Sequence, residues 1–201
     1  FYHHRPDPET PLEETMGALS DIVRQGKALY AGISNYGPED TEKAVAILRA
    51  NGTPCLIHQV RYNLFERAPE QGLFPVLKRE GVGCICFSPL AQGVLTGKYL
   101  GGIKDGYRAA RAGSTLKERY LSPAQQRMVE QLSELAAERG QTMAQMALSW
   151  VLRRGEVTSV LIGASRPAQL MENLTAMEKT TFTEEEESRI GAILEGTWKS
   201  E

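Results

Sequence analysis

Residues 55–60 read Cys55-Leu56-Ile57-His58-Gln59-Val60, and residues 83–87 read Gly83-Cys84-Ile85-Cys86-Phe87. Between them, residues 72–80 form a stretch of helical length that opens on Gly72. Two short apolar runs joined by one helix make a parallel strand–helix–strand unit, because parallel strands need a long crossover. The same alternation extends in both directions. Upstream, Phe1-Tyr2-His3-His4 reads as a strand end, residues 10–26 as a helix with an early acidic turn, and residues 28–33 as a strand stopped by Ser34-Asn35. A helix from Pro38 then stops at Asn51-Gly52. Downstream, residues 90–121 are rich in Gly and basic residues and read as a large excursion with local turns. Ser122-Pro123 caps a long helix, and a second runs from about Met143 to Arg153. A last strand is expected at residues 159–163, followed by a helix near Pro167 and an acidic closing helix from Thr183 or Glu184.

Five such strands in α/β order fit either an open doubly wound sheet or an eight-stranded barrel. No early Gly-x-Gly-x-x-Gly follows a strand, which weakens a Rossmann reading. If the fold is a barrel, about three strand–helix units are missing from the 201 residues. A sheet cut that way would expose an edge and an unfilled interior. The chain opens on Phe1 without a Met and is expected to be the downstream piece of a longer polypeptide.

Lys and Arg number 23 against 25 Asp and Glu, a net charge of -2 that argues against a nucleic-acid partner. No apolar run reaches the roughly 18 residues of a membrane helix, and the first residues lack the order of a secretory signal. The 3 cysteines are too few for a disulfide scaffold, so a reducing cytoplasm is expected.

Polar side chains gather where the strands end: His4, Ser34 and Asn35, Gln59, Ser88 and Ser165. In a parallel barrel these ends converge on the mouth that binds substrate. Strand alternation sends His3 and His4 to opposite faces, and the sequence barely chooses between them. Ser34, Asn35 and Gln59 suit a carboxamide, which has a donor and an acceptor side; turn capping is the competing reading. Phe87 suits stacking on a flat ring or ordinary core packing. Arg166, before a helix at Pro167, suits a phosphate monoester or a solvent-facing turn. Residues 108–117, with Lys98-Tyr99, read as a local anion clamp that includes Lys117 beside Glu118. Cys84 and Cys86 share a strand face without the turn of a zinc knuckle, so no metal is expected.

The ordered set is distinctive. Phe1-Tyr2-His3-His4-Arg5, Gly32-Ile33-Ser34-Asn35-Tyr36, Gln59 with Tyr62-Asn63, Phe87-Ser88-Pro89-Leu90-Ala91-Gln92-Gly93, Thr96-Gly97-Lys98-Tyr99, and Gly163-Ala164-Ser165 with Glu172-Asn173 together resemble an aldo-keto reductase. The likeness runs over nearly all 201 residues. It is nearest the bacterial branch that reduces glyceraldehyde 3-phosphate, and similar to potassium-channel beta subunits.

That resemblance implies a (β/α)8 TIM barrel entered at its fourth strand, with the chain as the C-terminal portion of one domain and residues 88–121 as a cofactor clasp. It implies NADPH-dependent reduction of small aldehydes such as glyceraldehyde 3-phosphate or methylglyoxal-like substrates. Of the family's catalytic Asp, Tyr, Lys and His, only the His has a matching position here, at His4, so this chain alone is expected to be inactive. The resemblance assigns Ser34, Asn35 and Gln59 to the nicotinamide carboxamide and Phe87 to stacking on its ring. It assigns Ser88, Leu90, Gln92, Gly93, Leu95 and Lys98 to the pyrophosphate path. Ser165 and Arg166 fall at the 2'-phosphate, and Gln169, Glu172 and Asn173 at ribose or adenine. Arg5 or Arg61 would meet a substrate phosphate. The alternative is an NADP(H)-binding sensor or interaction subunit with little turnover. A homo-oligomer is compatible with the resemblance and not required by it.

Overall fold

The computed structural model describes residues 1–114, 116 and 120–198, without the side chain of Arg108. Lys117 and Glu118 of the expected clamp lie outside the described residues. The chain divides into two compact units.

The first unit holds residues 1–62, 66–87 and 155–161. Its centre is a parallel sheet of five strands in sequence order: β1 (Tyr2–His3), β2 (Ala31–Ser34), β3 (Cys55–Arg61), β4 (Gly83–Phe87) and β5 (Ser159–Val160). Helices α1 (Leu12–Arg24), α2 (Pro38–Ala50) and α3 (Leu73–Glu80) make the crossovers. This is the strand–helix repeat of part of a (β/α)8 barrel. Pro38 opens α2 at the position where its missing N–H costs nothing, and Glu39 and Asp40 face the positive helix end.

Register sorts the two sheet faces. Ile33, His58 and Cys84 pair across β2, β3 and β4, and all are fully buried. The alternate face carries Gly32 beside Ile57, Ser34 beside Gln59, and Arg61 beside Phe87. On β3 and β4 its residues are only half-buried. Gly32 is required there: a Cβ would lie 2.9 Å from the Ile57 carbonyl oxygen and 3.0 Å from the Tyr2 ring. The register slips by a residue at this place, between Ala31 and Gly32.

Two strands are shorter than the apolar runs suggested. Leu29 and Tyr30 precede β2 and are 84% and 59% exposed, so the run starts before the sheet does. β5 ends at Val160, and Leu161 is 46% exposed.

His58 is a buried structural histidine. Its Nε2 donates to the Tyr36 carbonyl at 3.2 Å, and Nδ1 has no hydrogen-bond partner among the described residues. Burial pushes its pKa down to about 4, outweighing the Tyr36 bond. The unfolded chain binds this proton near pH 6.5 and the folded one only near 4, so stability is full above pH 6.5 and falls as pH drops toward 4. The loss should approach about 3 kcal/mol. Urea unfolding at pH 7 and pH 5 should show the decline, and His58→Gln should flatten it. An unchanged slope in that variant would contradict the assignment.

The second unit holds residues 63–65, 88–154 and 162–201. It contains α4 (Pro123–Glu138), α5 (Met143–Leu152), α6 (Pro167–Leu174) and α7 (Glu184–Leu194). Three of these helices begin with reciprocal side-chain caps: Ser122 with Gln125, Thr142 with Gln145, and Thr183 with Glu186. The excursion at residues 90–121 does turn locally, with 3-10 turns at Ala91–Thr96 and Arg108–Ala110. It is also pinned by buried Leu95, Tyr99, Ala109, Leu116 and Tyr120. Trp150, on α5, is the largest fully buried side chain.

Candidate cofactor and active site

In the first unit, His3 and His4 have separate circumstances. His3 Nδ1 and the Tyr36 hydroxyl share a hydrogen bond of 2.6 Å, with the rings edge-to-face. Burial, and then the Asp40 charge, push the Tyr36 phenol up to about 12, which keeps it neutral. His3 is thereby tied into the fold. His4 is the first residue past β1 and is exposed.

The carbonyl oxygen of His4 accepts a 2.9 Å bond from Asn35 Nδ2, which also donates to Ser34 Oγ at 2.9 Å. A carbonyl can only accept, so the bond fixes which way the Asn35 amide points. Both amide hydrogens are then committed, and Oδ1 is left to accept. Gln59 lies beside Ser34 in register, and its carbonyl receives the Asn35 N–H at 3.1 Å. Phe87 ends β4 on the same face of the sheet as Gln59. The structure thus brings Ser34, Asn35, Gln59 and Phe87 together at the carboxyl ends of the strands. Arg61 lies over the Phe87 ring, 5.1 Å from its centroid, and its Nη1 is 3.8 Å from Glu66.

In the second unit, Ser88 begins a strained turn. Among the described residues, four that are not glycine have left-handed backbones: Asn35 at φ 60°, Ser88 at 54°, Ala91 at 45° and Gln92 at 57°. Three of them were singled out from the sequence, and such strain, about 1–3 kcal/mol each, collects where a ligand is held. The Ser88 carbonyl is tied to Asn63 Nδ2 at 3.0 Å, and Leu90 carbonyl receives the amides of Gly93 and Leu95. Leu95 is itself fully buried, so its side chain anchors the turn. Gly93, at φ 95°, holds the left-handed backbone that favours glycine, and a Cβ there would lie 2.8 Å from Lys98 Nζ and displace that flexible side chain. That ammonium is held over the Tyr99 and Tyr107 rings at 5.0 and 5.6 Å. Tyr107 was not singled out from the sequence; no motif or spacing links it to Lys98.

Around α6, Gln169 Oε1 accepts from the Ser165 N–H at 3.1 Å and the Ser165 hydroxyl at 3.3 Å. Arg166 is the exposed N-cap residue. Glu172 is exposed, whereas Asn173 is buried, with Nδ2 lacking a hydrogen-bond partner among the described residues. A buried unsatisfied amide is costly unless a ligand completes it. Among the described residues no cluster of three metal-ligating side chains occurs. No helix there is long and apolar enough to cross a membrane.

The family model for the aldo/keto reductase family matches residues 1–195. The chain belongs to the aldo/keto reductase family. It is 51% identical over 194 residues to L-glyceraldehyde 3-phosphate reductase of Escherichia coli (strain K12), covering 94% of this chain and 56% of that protein. The protein of the same name from Escherichia coli O157:H7 is 50% identical over the same shares. The chain therefore spans a little over half the length of these family members. A crystal structure of a thermostable aldo-keto reductase with the inhibitor epalrestat superposes with a TM-score of 0.70 at 30% identity, over 96% of this chain and 58% of the other.

Proposed function

We propose that this chain carries the nicotinamide-binding strand ends and the nucleotide-binding turns of an NADPH-dependent aldehyde reductase. Its residues 1–195 match the family, and the observation that carries the cofactor reading is the fixed Asn35 amide beside Gln59 and Phe87. NADPH fits the residues present. Asn35 Oδ1 is set to accept from the nicotinamide carboxamide, with Ser34 and Gln59 as its neighbours. Phe87 offers a ring face. In the second unit, the turn at Ser88, Leu90, Gln92 and Gly93 suits a pyrophosphate, with Leu95 anchoring it and Lys98 supplying charge. Ser165 and Arg166 suit the 2'-phosphate, Gln169 and Glu172 the ribose, and the orphaned Asn173 amide an adenine nitrogen.

When bound, NADPH supplies a hydride to the aldehyde carbon. His4, exposed at the end of β1 and held through its carbonyl by Asn35, would orient and polarise the aldehyde oxygen. Turnover is proposed for a protein that combines this chain with the family's Asp, Tyr and Lys. The substrate class we propose is a small aldehyde of the glyceraldehyde 3-phosphate kind, the substrate named for the Escherichia coli relatives. A cytoplasmic setting suits three cysteines that are free and buried. We read residues 1–201 as one portion of a single barrel domain.

Arg166→Ala should weaken NADPH binding about tenfold by losing a charge-assisted contact, with NADH unchanged. Fluorescence titration of the full protein with both nucleotides measures this. Equal losses for both would remove Arg166 from the 2'-phosphate.

A further inference from the structure

We infer that Tyr36 is a positioning residue, holding the chain beside His4 so that the His4 imidazole meets the aldehyde. The inference rests on the reading of His4 as the group that orients the aldehyde oxygen. The backbone ladder between β1 and β2 ends at the pair His3 and Ile33. His4 is the next residue, and its ring makes no hydrogen bond among the described residues. Pro6 and Pro8 follow, and neither has an N–H with which to extend the sheet. The place of the His4 imidazole therefore depends on what fixes the chain around it.

Two side-chain bonds continue the ladder where the backbone stops. One is the Asn35 amide on the His4 carbonyl, at 2.9 Å. The other joins the Tyr36 hydroxyl to His3 Nδ1 at 2.6 Å, with ring centroids 5.8 Å apart. Tyr36 is itself anchored: its side chain is buried, and its carbonyl accepts from Nε2 of the fully buried His58 on β3. One residue thus spans from β3 past the end of β2 to β1. It passes the rigidity of a buried strand to the residue just before His4. The two bonds differ in what else they serve. Asn35 also offers Oδ1 to the proposed nicotinamide carboxamide, so its hold on His4 is shared with the cofactor. The bond between Tyr36 and His3 involves none of the residues proposed to hold NADPH. Its loss should therefore reach the aldehyde step and spare nucleotide binding.

The test is steady-state reduction of glyceraldehyde 3-phosphate by the full protein, beside fluorescence titration with NADPH. Tyr36→Phe keeps the ring and its packing and removes one hydroxyl. It should lower kcat/KM for the aldehyde about tenfold and leave the NADPH dissociation constant within about twofold. His3→Leu should cost as much, and His3→Asn much less, because Asn keeps a hydrogen-bonding atom close to the place of Nδ1. In a His4→Ala background, Tyr36→Phe should cost nothing more, since both changes act through one imidazole. Unchanged kcat/KM in Tyr36→Phe, an equal loss of NADPH affinity, or a loss of about tenfold that persists in the His4→Ala background would overturn the inference and leave the reading of His4 standing. Full turnover in His4→Ala with Tyr36 intact would instead overturn the reading of His4 beneath it.

Discussion

Arg139→Met is expected to lower the free energy of unfolding by about 3 kcal/mol, because it removes one half of a buried ion pair. The Arg139 side chain is 2% exposed at the end of α4. Its Nε donates to Gln141 Oε1 at 2.9 Å, and Nη2 to the carbonyls of Thr181 at 3.1 Å and Lys179 at 3.4 Å. Nη1 pairs with Glu186 at 2.5 Å, and the guanidinium stacks on Phe182 at 3.8 Å. Gln141 hands the network on: its Nε2 donates to Ser149 Oγ, which donates to the Ala176 carbonyl at 2.7 Å. One guanidinium thus ties α4 to α5 and to the entry of α7.

Glu186 is the same residue that caps α7. Its partial burial works against the charged form, but the Thr183 amide, Arg139 and Lys179 outweigh that and hold the carboxyl below its usual range. Met preserves the volume and the apolar contact with Phe182 while leaving the carbonyls and the carboxylate without their donor. Arg139→Lys keeps the charge but not the planar fork, so it should recover only part of the loss. Guanidinium unfolding of the three proteins gives the comparison. A loss under about 0.5 kcal/mol in Arg139→Met would show that the pair merely breaks even with an apolar neighbour.

Arg139 also marks where reading the sequence stops. It sits in Ala136-Ala137-Glu138-Arg139-Gly140, which looks like a solvated helix end beside a glycine stop. Its partners at residues 179–186 are forty or more positions away, and no local pattern announces them. The strands were legible for the opposite reason. Short apolar runs separated by helices state their own spacing, so five strands and their order follow from residues 1–163. Their lengths do not, because a strand ends where its neighbour ends: Val160 is the last residue of β5 although the apolar run continues to Ile162.

The site was legible as residue types at strand ends and obscure in its backbone. Asn35 in a left-handed conformation is unsurprising for Asn, but the same conformation at Ser88, Ala91 and Gln92 has no sequence signal. The choice of His4 over His3 rested on resemblance. The bond between His3 and Tyr36 ties His3 to the fold. Neither composition nor motif suggested that Arg61 would lie across Phe87.

The proposed cofactor site rests on strand-end side chains reading a nicotinamide, and the second large effect follows from removing them. Gln59→Ala combined with Phe87→Ala takes away a carboxamide contact and a stacking ring. Together these should weaken NADPH by about a hundredfold. The decisive comparison is with 2'-phospho-ADP-ribose, which keeps the adenosine, the 2'-phosphate and the pyrophosphate but has no nicotinamide. Titrated into the full protein, NADPH should lose about two orders of magnitude in affinity to the double variant, and 2'-phospho-ADP-ribose should bind both proteins alike. Equal losses for the two ligands, or no loss for NADPH, would mean that Gln59 and Phe87 do not hold the nicotinamide ring.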